Sequence, residues 1–176
     1  NYSYQACGKN VWAWIHRWML RRIVKKLATN CTEMFTITKT EGKETDECFG
    51  TKSIILTKGI DYSKRTFDGR APHTPIHMVY TGNLLIGRAT SLCAISRALK
   101  EINKDGVKVT FDIYTPTVLD GASTKLLNSN GCTKHAFVPK EQVADIQKNA
   151  DIVVFVESLE KDHKYDARLS FSTKLT

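Results

Sequence analysis

The sequence has no apolar run long enough to span a bilayer and no secretory signal peptide. Its five cysteines include no Cys-x-x-Cys pair and no Cys/His spacing typical of a metal site. Internal repeats and low-complexity tracts are also absent. These absences predict a cytoplasmic globular protein that has reduced thiols and no metal centre.

Acidic residues are scarcer than basic ones. The chain has 18 Asp and Glu residues and 26 Lys and Arg residues, which gives a formal net charge of +8. This excess favours an anionic partner, which could be nucleic acid, an acidic membrane surface or a phosphorylated small molecule. No recognised nucleic-acid-binding motif is present, so nucleic acid is not the expected partner. The first residue is not methionine, and an apolar pattern stops at Leu175 where a helix is predicted to begin. We therefore expect a fragment of a longer protein.

A basic helix is predicted from Val11 to Leu27, because this stretch contains good helix formers and neither Gly nor Pro. Its apolar residues form two stripes on opposite sides of the helix, Val11-Trp14-Ile15-Trp18 and Leu20-Ile23-Val24-Leu27. Two interpretations remain open. The helix contacts an anionic membrane surface, which suits its cations and tryptophans, or it packs between two partners.

Strands and helices alternate along the rest of the sequence. Predicted strands cover residues 33–38, 52–57, 76–80, 107–114, 132–138 and 151–157, and predicted helices cover residues 39–47, 92–102, 119–127 and a stretch that begins at Pro139. In the helix over 119–127, Leu119, Ala122 and Leu126 are expected to face inward. The alternation predicts an α/β fold with a Rossmann-like parallel sheet and helices on both faces, preceded by a partial α/β segment. The charged, proline-containing stretch 61–75 is predicted to be an interdomain linker.

A glycine-punctuated turn joins the strand that ends at Tyr80 to the following helix. Backbone amides at a helix start are unpaired and carry partial positive charge, so this turn and Arg88 together predict a phosphate cradle. Gly82 and Gly87 have the spacing of P-loop glycines, but Arg88 and Ala89 replace the Lys and Ser/Thr of that motif, which excludes a P-loop ATPase. The three-glycine dinucleotide fingerprint is also absent. A turn that binds no ligand is the alternative.

Ligands of open parallel sheets bind beyond the carboxyl ends of the strands. Gly82, Thr115 and Glu157 begin the loops after three predicted strands, so we expect them near the site. The hydroxyl-rich run 170–174 is a second predicted helix start and anion site. The other charged residues after Glu157 are expected to form a solvated loop.

Several of these stretches resemble the GT-B glycosyltransferases, in particular the large retaining group called family four. In that family a strand ends in Gly-Arg-Leu and a Lys follows five residues after the Arg; here Asn83 has the arginine position and Arg88 the lysine position. Residues 35–38, 47–50 and 58–61 resemble the last elements of the family's first domain. Residues 150–154 resemble the strand that precedes the family's donor-binding loop. The run 170–175 resembles a variant of the family's donor segment, in which a Thr-Lys pair opens the helix.

The resemblance implies that residues 1–60 end an acceptor-side domain, that 61–75 link the domains and that 76–176 bind the donor. It implies a hexosyltransferase of polysaccharide biosynthesis that moves a sugar from a nucleoside-diphosphate sugar to a saccharide or lipid-linked acceptor. The enzyme would need no cofactor or metal, and it would be cytoplasmic or peripheral at the membrane. The implied diphosphate-binding residues are Gly82, Asn83, Arg88, Ser172, Thr173 and Lys174, and Thr115 and Glu157 lie near the nucleotide and sugar. Catalytic residues are not assigned. The chain alone is expected to bind donor and to transfer nothing.

The alternative function from another class is a noncatalytic, basic α/β module that binds nucleic acid or an acidic partner. Its support is the net charge of +8. Salt dependence distinguishes the two functions, because binding to a phosphate backbone weakens steeply with salt whereas a nucleotide pocket keeps its selectivity for the base.

Overall fold

Parallel β-sheets alternate with α-helices in residues 10–56 and 69–163, the part of the chain that this computed structural model describes. The chain divides into two compact units, of which the described residues are 10–56 and 69–163. The predicted α/β fold class with a parallel, Rossmann-like sheet is confirmed. The domain functions implied by the resemblance stay a prediction.

The first unit has two helices and a two-stranded parallel sheet. Its elements are α1 (Val11–Asn30), β1 (Met34–Thr36), α2 (Lys39–Phe49) and β2 (Ser53–Ile55). The Asn10 side chain caps α1 by accepting a hydrogen bond from the Ala13 amide at 2.8 Å. The Thr38 hydroxyl caps α2 in the same way, and Gly50 ends this helix with a left-handed backbone at φ +70°.

Both predicted apolar stripes of α1 contain exposed residues, and on the second stripe these are Ile23 and Leu27. Val24 and Ala28, on one side of the helix, line a cavity of about 350 Å³ together with Met34 and Phe49. Trp14 and Trp18, on the other stripe, are exposed. The helix thus uses one side to contact the rest of the first unit.

The second unit has a four-stranded parallel sheet with the strand order β5-β4-β3-β6. Its elements are β3 (Ile76–Thr81), α3 (Arg88–Ile102), β4 (Val109–Tyr114), α4 (Gly121–Leu126), β5 (Cys132–His135), α5 (Lys140–Lys148) and β6 (Ile152–Val153), followed by a 3₁₀ turn (Lys161–His163). β3 and β4 pair along their whole length, from Ile76 opposite Val109 to Thr81 opposite Tyr114.

The hydrophobic core of this unit lies between the sheet and the helices α3 and α4. Side chains alternate along a strand, so Tyr80 of β3 and Phe111 and Ile113 of β4 point to the same face of the sheet. Each of them is at most 1% exposed, and they pack with Leu92 of α3 and with Leu127 just after α4. The core therefore fixes the start of α3 against the end of β3.

The opposite face of the sheet receives α5. Right-handed crossovers from β3 to β4 and from β4 to β5 place α3 and α4 on one face, and the return from β5 to β6 places α5 on the other. A hydrogen bond from Gln147 Nε2 of α5 to Thr81 Oγ1 at 2.8 Å fixes this contact. The predicted arrangement with helices on both faces is confirmed.

Two local predictions are wrong. The predicted buried strand 151–157 is reduced to Ile152–Val153. Both residues are about half exposed because, among the described strands, β6 lies at the edge of the sheet and pairs only with β3. In the region of α4, Ala122 is exposed, whereas Leu127 is fully buried. The helix is short, so its periodicity predicts the inward residues poorly.

Candidate anion-binding site

The candidate site lies at the carboxyl end of β3, where the strand order of the sheet reverses. The chain leaves β3 for its neighbour β4 on one side, and it later returns as β6 on the other side. Such a reversal leaves a crevice beyond the strand ends in which ligands bind. Gly82 and Thr115 directly follow β3 and β4, as the sequence predicts, whereas Glu157 lies four residues after the end of β6 at Val153.

Gly87 is the residue at which the loop turns into α3. Its backbone is left-handed at φ +71°, and the helix has no side-chain cap and no acidic residue in its first turn. A Cβ atom at this position would collide with the Ser158 side chain and would crowd Glu160 and His163. Residues 157–163, which we call the acidic loop, therefore lie directly against the start of α3.

The Arg88 guanidinium is fixed between two side chains at this point. Its Nη1 donates to Asn83 Oδ1 at 3.1 Å, and its Nη2 donates to Glu157 Oε2 at 3.1 Å. The Arg88 side chain is 19% exposed, and its buried Nε finds no acceptor among the described residues. The guanidinium is thus held in one orientation but only partly satisfied.

The acidic loop is attached to the first turn of α3 by further hydrogen bonds. The Ser91 hydroxyl donates to the Glu157 carbonyl at 2.7 Å, and the Thr90 hydroxyl donates to Glu160 Oε1 at 2.5 Å. The carboxylates of Glu157 and Glu160 therefore both lie near the start of α3, where the partial positive charge of a helix N-terminus favours negative charge. The charged residues that the sequence predicts to be a solvated loop include Glu160, which the structure shows half-buried and hydrogen-bonded.

Asn83 has two roles in the loop after β3. Its side chain orients Arg88, and its carbonyl accepts a hydrogen bond from the Tyr80 hydroxyl at 2.7 Å. Burial raises the pKa of the Tyr80 phenol, so this hydroxyl remains a donor at neutral pH. The loop is therefore held to the core by a buried side chain of β3.

Thr115 supports the loop that follows β3. Its side chain is 2% exposed, and its hydroxyl accepts a hydrogen bond from the Thr117 amide at 3.1 Å. The Thr117 hydroxyl in turn accepts a hydrogen bond from the Leu84 amide at 2.9 Å. The loops after β3 and β4 are joined through this pair of threonines. Ser172, Thr173 and Lys174, the other residues implied by the resemblance, lie outside the described residues.

A second polar cluster, which the sequence analysis did not identify, crosses three strands on the α5 face of the sheet. The Asp112 carboxylate of β4 accepts hydrogen bonds from His77 Nε2 of β3 at 2.9 Å and from His135 Nε2 of β5 at 2.7 Å. The Tyr114 ring stacks on the His135 ring at 4.5 Å. The signal in the sequence is the alternation Thr110, Asp112, Tyr114 on β4, which predicts one polar face for this strand.

A third cluster lies at the other end of the sheet, around the nearly buried Asp151 carboxylate, which is 8% exposed. Backbone hydrogen bonds from His77 at 2.7 Å and from His73, together with the His73 ring, lower the pKa of Asp151 from 3.8 to about 2. Arg70 donates to the adjacent Ala150 carbonyl at 2.6 Å. This network attaches residues 70–73 to the start of β6.

The lowered pKa of Asp151 predicts a loss of stability in acid. The unfolded chain binds this proton more tightly than the folded chain, so the contribution is complete above about pH 4 and disappears as the pH falls toward 2. We expect the free energy of unfolding, from urea titrations at several pH values in this range, to fall less steeply with decreasing pH in Asp151→Asn than in the wild type. Asp105→Asn, in the exposed turn after α3, is the control and should keep the wild-type slope. Equal slopes for all three proteins would show that Asp151 does not cause this loss of stability in acid.

The fold and the site define a parallel, Rossmann-like α/β protein with a candidate anion site at its strand-order reversal. No protein-family model matches the chain, and a search of curated proteins finds no match. Among residues 10–56 and 69–163, no three or more His, Cys, Asp or Glu side chains are placed to bind a metal ion together. No helix in the same ranges is long and apolar enough to cross a membrane.

Proposed function

We propose that this chain binds a nucleoside-diphosphate sugar at the carboxyl end of β3, as the donor-binding part of a glycosyltransferase. The observation that carries the proposal is the position of the Arg88 guanidinium, which Asn83 and Glu157 hold at the start of α3. This is the sheet edge at which nucleotides bind in Rossmann-like folds. The resemblance of this loop to the GT-B family supplies the reaction class.

The electrostatics of the α3 start support a diphosphate ligand. The helix contributes unpaired amides with partial positive charge, and Arg88 contributes a permanent cation in its first turn. The Arg88 side chain is largely shielded from water, so its interaction with a phosphate would be stronger than that of a solvated lysine. Its unsatisfied Nε indicates that its present acceptors do not complete its hydrogen bonding.

The Glu157 carboxylate fixes the orientation of the cation. A side chain that is already ordered loses less conformational entropy when a ligand binds, and this increases affinity. The same carboxylate is a hydrogen-bond acceptor at the mouth of the site, where it would suit a hydroxyl of the ribose or of the sugar. It repels a phosphate at the same time, so the diphosphate is expected to bind on the Asn83 side of Arg88.

The reaction that follows from this site is the departure of a nucleoside diphosphate from the anomeric carbon of the sugar. Negative charge develops on the leaving oxygen as the glycosidic bond breaks, and Arg88 and the amides of α3 would stabilise it without rearrangement. The resemblance adds Lys174 and Thr173 to this role. In the same family the acceptor is bound mainly by the first domain, so the chain alone is expected to bind donor without transferring the sugar.

Calorimetric titration of the chain with uridine, guanosine and adenosine diphosphates and their sugar conjugates tests this function. Saturable binding that prefers one base and persists at high salt is expected for a nucleotide pocket. Binding that is indifferent to the base and weakens steeply with salt would instead favour the basic, noncatalytic module. Titration with the matching monophosphate shows how much of the affinity depends on the second phosphate.

Replacing Glu160 by glutamine is expected to strengthen diphosphate binding about two- to fivefold. The substitution removes one negative charge from the start of α3, and the amide oxygen can still accept the hydrogen bond of Thr90. The control is Glu101→Gln near the other end of α3, where the side chain is exposed and no change is expected. Unchanged or weaker binding in Glu160→Gln would show that the diphosphate does not approach the helix start.

A further inference from the structure

The outward side of α1 combines aromatic, aliphatic and cationic side chains. Trp12, Trp14 and Trp18 are 78%, 63% and 47% exposed. Val11, Met19 and Ile23 are also exposed on this helix. An isolated exposed apolar residue is ordinary, but Val11, Trp14 and Trp18 lie within about 60° of one another around the helix and form a continuous exposed apolar surface, which is typical of a binding site.

The charges of the helix are of one sign. α1 contains five Lys and Arg residues and no Asp or Glu, and four of the five lie between Arg21 and Lys26. The Arg22 guanidinium lies over the Trp18 ring, 4.1 Å from its centroid. At about 100° per residue, Trp14, Trp18, Arg22 and Lys25 fall within an arc of about 80°. The aromatic half and the cationic half therefore follow one another along the same side of the helix.

We propose that this side of α1 docks onto an anionic lipid bilayer. Lysines and arginines are attracted to anionic headgroups, and tryptophan prefers the boundary between headgroups and acyl chains. The opposite side of the helix, with Val24 and Ala28, faces the first unit, so docking leaves the fold intact. The helix lies in the plane of the interface, because four charges in one half prevent it from crossing the bilayer.

The exposed aliphatic residues favour lipid over nucleic acid as the occupant. Phosphate backbones attract the cations, and unpaired bases stack on tryptophan. Neither contact buries Val11 or Met19. The acyl boundary of a bilayer buries both of them together with the indole rings. The proposal does not depend on the site around Arg88, since α1 belongs to the first unit and Asn83, Arg88 and Glu157 belong to the second.

The sequence provides an internal reporter for this proposal. All three tryptophans of the chain lie on α1, so the intrinsic indole emission reports the environment of this helix alone. Mixed phosphatidylglycerol and phosphatidylcholine vesicles are expected to shift the emission to shorter wavelength and to sediment the protein. Vesicles of phosphatidylcholine alone are expected to do neither at the same lipid concentration.

Variants assign the binding to the proposed surface. Arg22→Gln/Lys25→Gln is expected to lower the partition coefficient on mixed vesicles about 25-fold, about fivefold for each cation. Trp14→Ala/Trp18→Ala should also weaken sedimentation, and the emission of the remaining Trp12 should shift less. The matched control is Lys100→Gln/Lys104→Gln, which removes two exposed cations of the second unit and should bind as the wild type does. Circular dichroism verifies that each variant keeps its helix content.

Three results would overturn the proposal. One is equal binding to the mixed and the uncharged vesicles, and another is a partition coefficient that Arg22→Gln/Lys25→Gln leaves unchanged. The third is single-stranded RNA binding more tightly than mixed vesicles at equal phosphate concentration, which would assign the surface to nucleic acid. The lipid surface would be established as the partner by two results together. The emission must shift only with the mixed vesicles, and Arg22→Gln/Lys25→Gln must reduce sedimentation with them.

Discussion

Arg88→Ala is expected to weaken the binding of a nucleoside diphosphate by about 100-fold, because charge-assisted hydrogen bonds to a phosphate contribute about 1.5–3 kcal/mol. The substitution has a second effect in the same direction. Glu157 loses the cation that it contacts at 3.1 Å, so its negative charge at the mouth of the anion site is less well balanced. Calorimetry or a competition assay with a fluorescent nucleotide measures the loss.

A double variant separates these two effects. Arg88→Ala/Glu157→Gln also removes the negative charge of Glu157, so it should recover part of the affinity that Arg88→Ala loses. Arg97→Ala on the exposed side of α3 removes the same charge from the same helix and should bind as the wild type does. If Arg88→Ala binds the diphosphate as tightly as Arg97→Ala does, Arg88 is not part of the site.

Gly87→Ala is expected to destabilise the start of α3 by about 2–4 kcal/mol, through backbone strain and through the collision with the acidic loop. Gly50→Ala is a matched control. Gly50 has φ +70° and Gly87 has φ +71°, but an added Cβ meets nothing within 4 Å at Gly50 and meets the Ser158 side chain at Gly87. Gly50→Ala should therefore cost only the backbone strain, about 1 kcal/mol.

Amide hydrogen exchange measures the local loss of stability that each substitution causes. Exchange of the first α3 amides should accelerate strongly in Gly87→Ala, and exchange at the end of α2 should accelerate modestly in Gly50→Ala. Gly87→Ala should also weaken diphosphate binding, since the displaced loop carries Glu157 away from Arg88. Equal effects of the two substitutions would mean that the acidic loop does not press against the helix start.

The sequence predicts the strongly periodic elements of the second unit well. β3 and α3 are found where the apolar run and the helical spacing of Leu92 and Leu99 predict them, because α3 packs one side against the core and the central strand β3 is buried on both faces of the sheet. β6 is predicted too long, since an apolar run cannot tell a fully paired strand from an edge that pairs over two residues. The ends of β3 and β4 are predicted to within one residue, whereas β5 and β6 end three and four residues earlier than predicted.

The contacts within the site depend on geometry that a single sequence does not provide. The rule that ligands bind beyond strand ends places Glu157 and Arg88 at one edge, but their ion pair also requires β6 to lie beside β3. The contact of Asp112 with His77 and His135 requires the register of three strands, which periodicity leaves open. For α1, the sequence predicts two opposed stripes, and the structure shows exposed residues on both of them, Trp14 and Trp18 on one and Ile23 and Leu27 on the other.

The most direct test of the proposed donor site is an NMR titration of the isotopically labelled chain with the nucleoside diphosphate that binds most tightly. The backbone amides of residues 82–91 and of the acidic loop are expected to shift together and to saturate, and those of α1 should not move. Arg88→Ala should abolish these shifts. Saturable shifts confined to α1, or located at the opposite end of the sheet around Asp151, would contradict a donor site at the carboxyl end of β3.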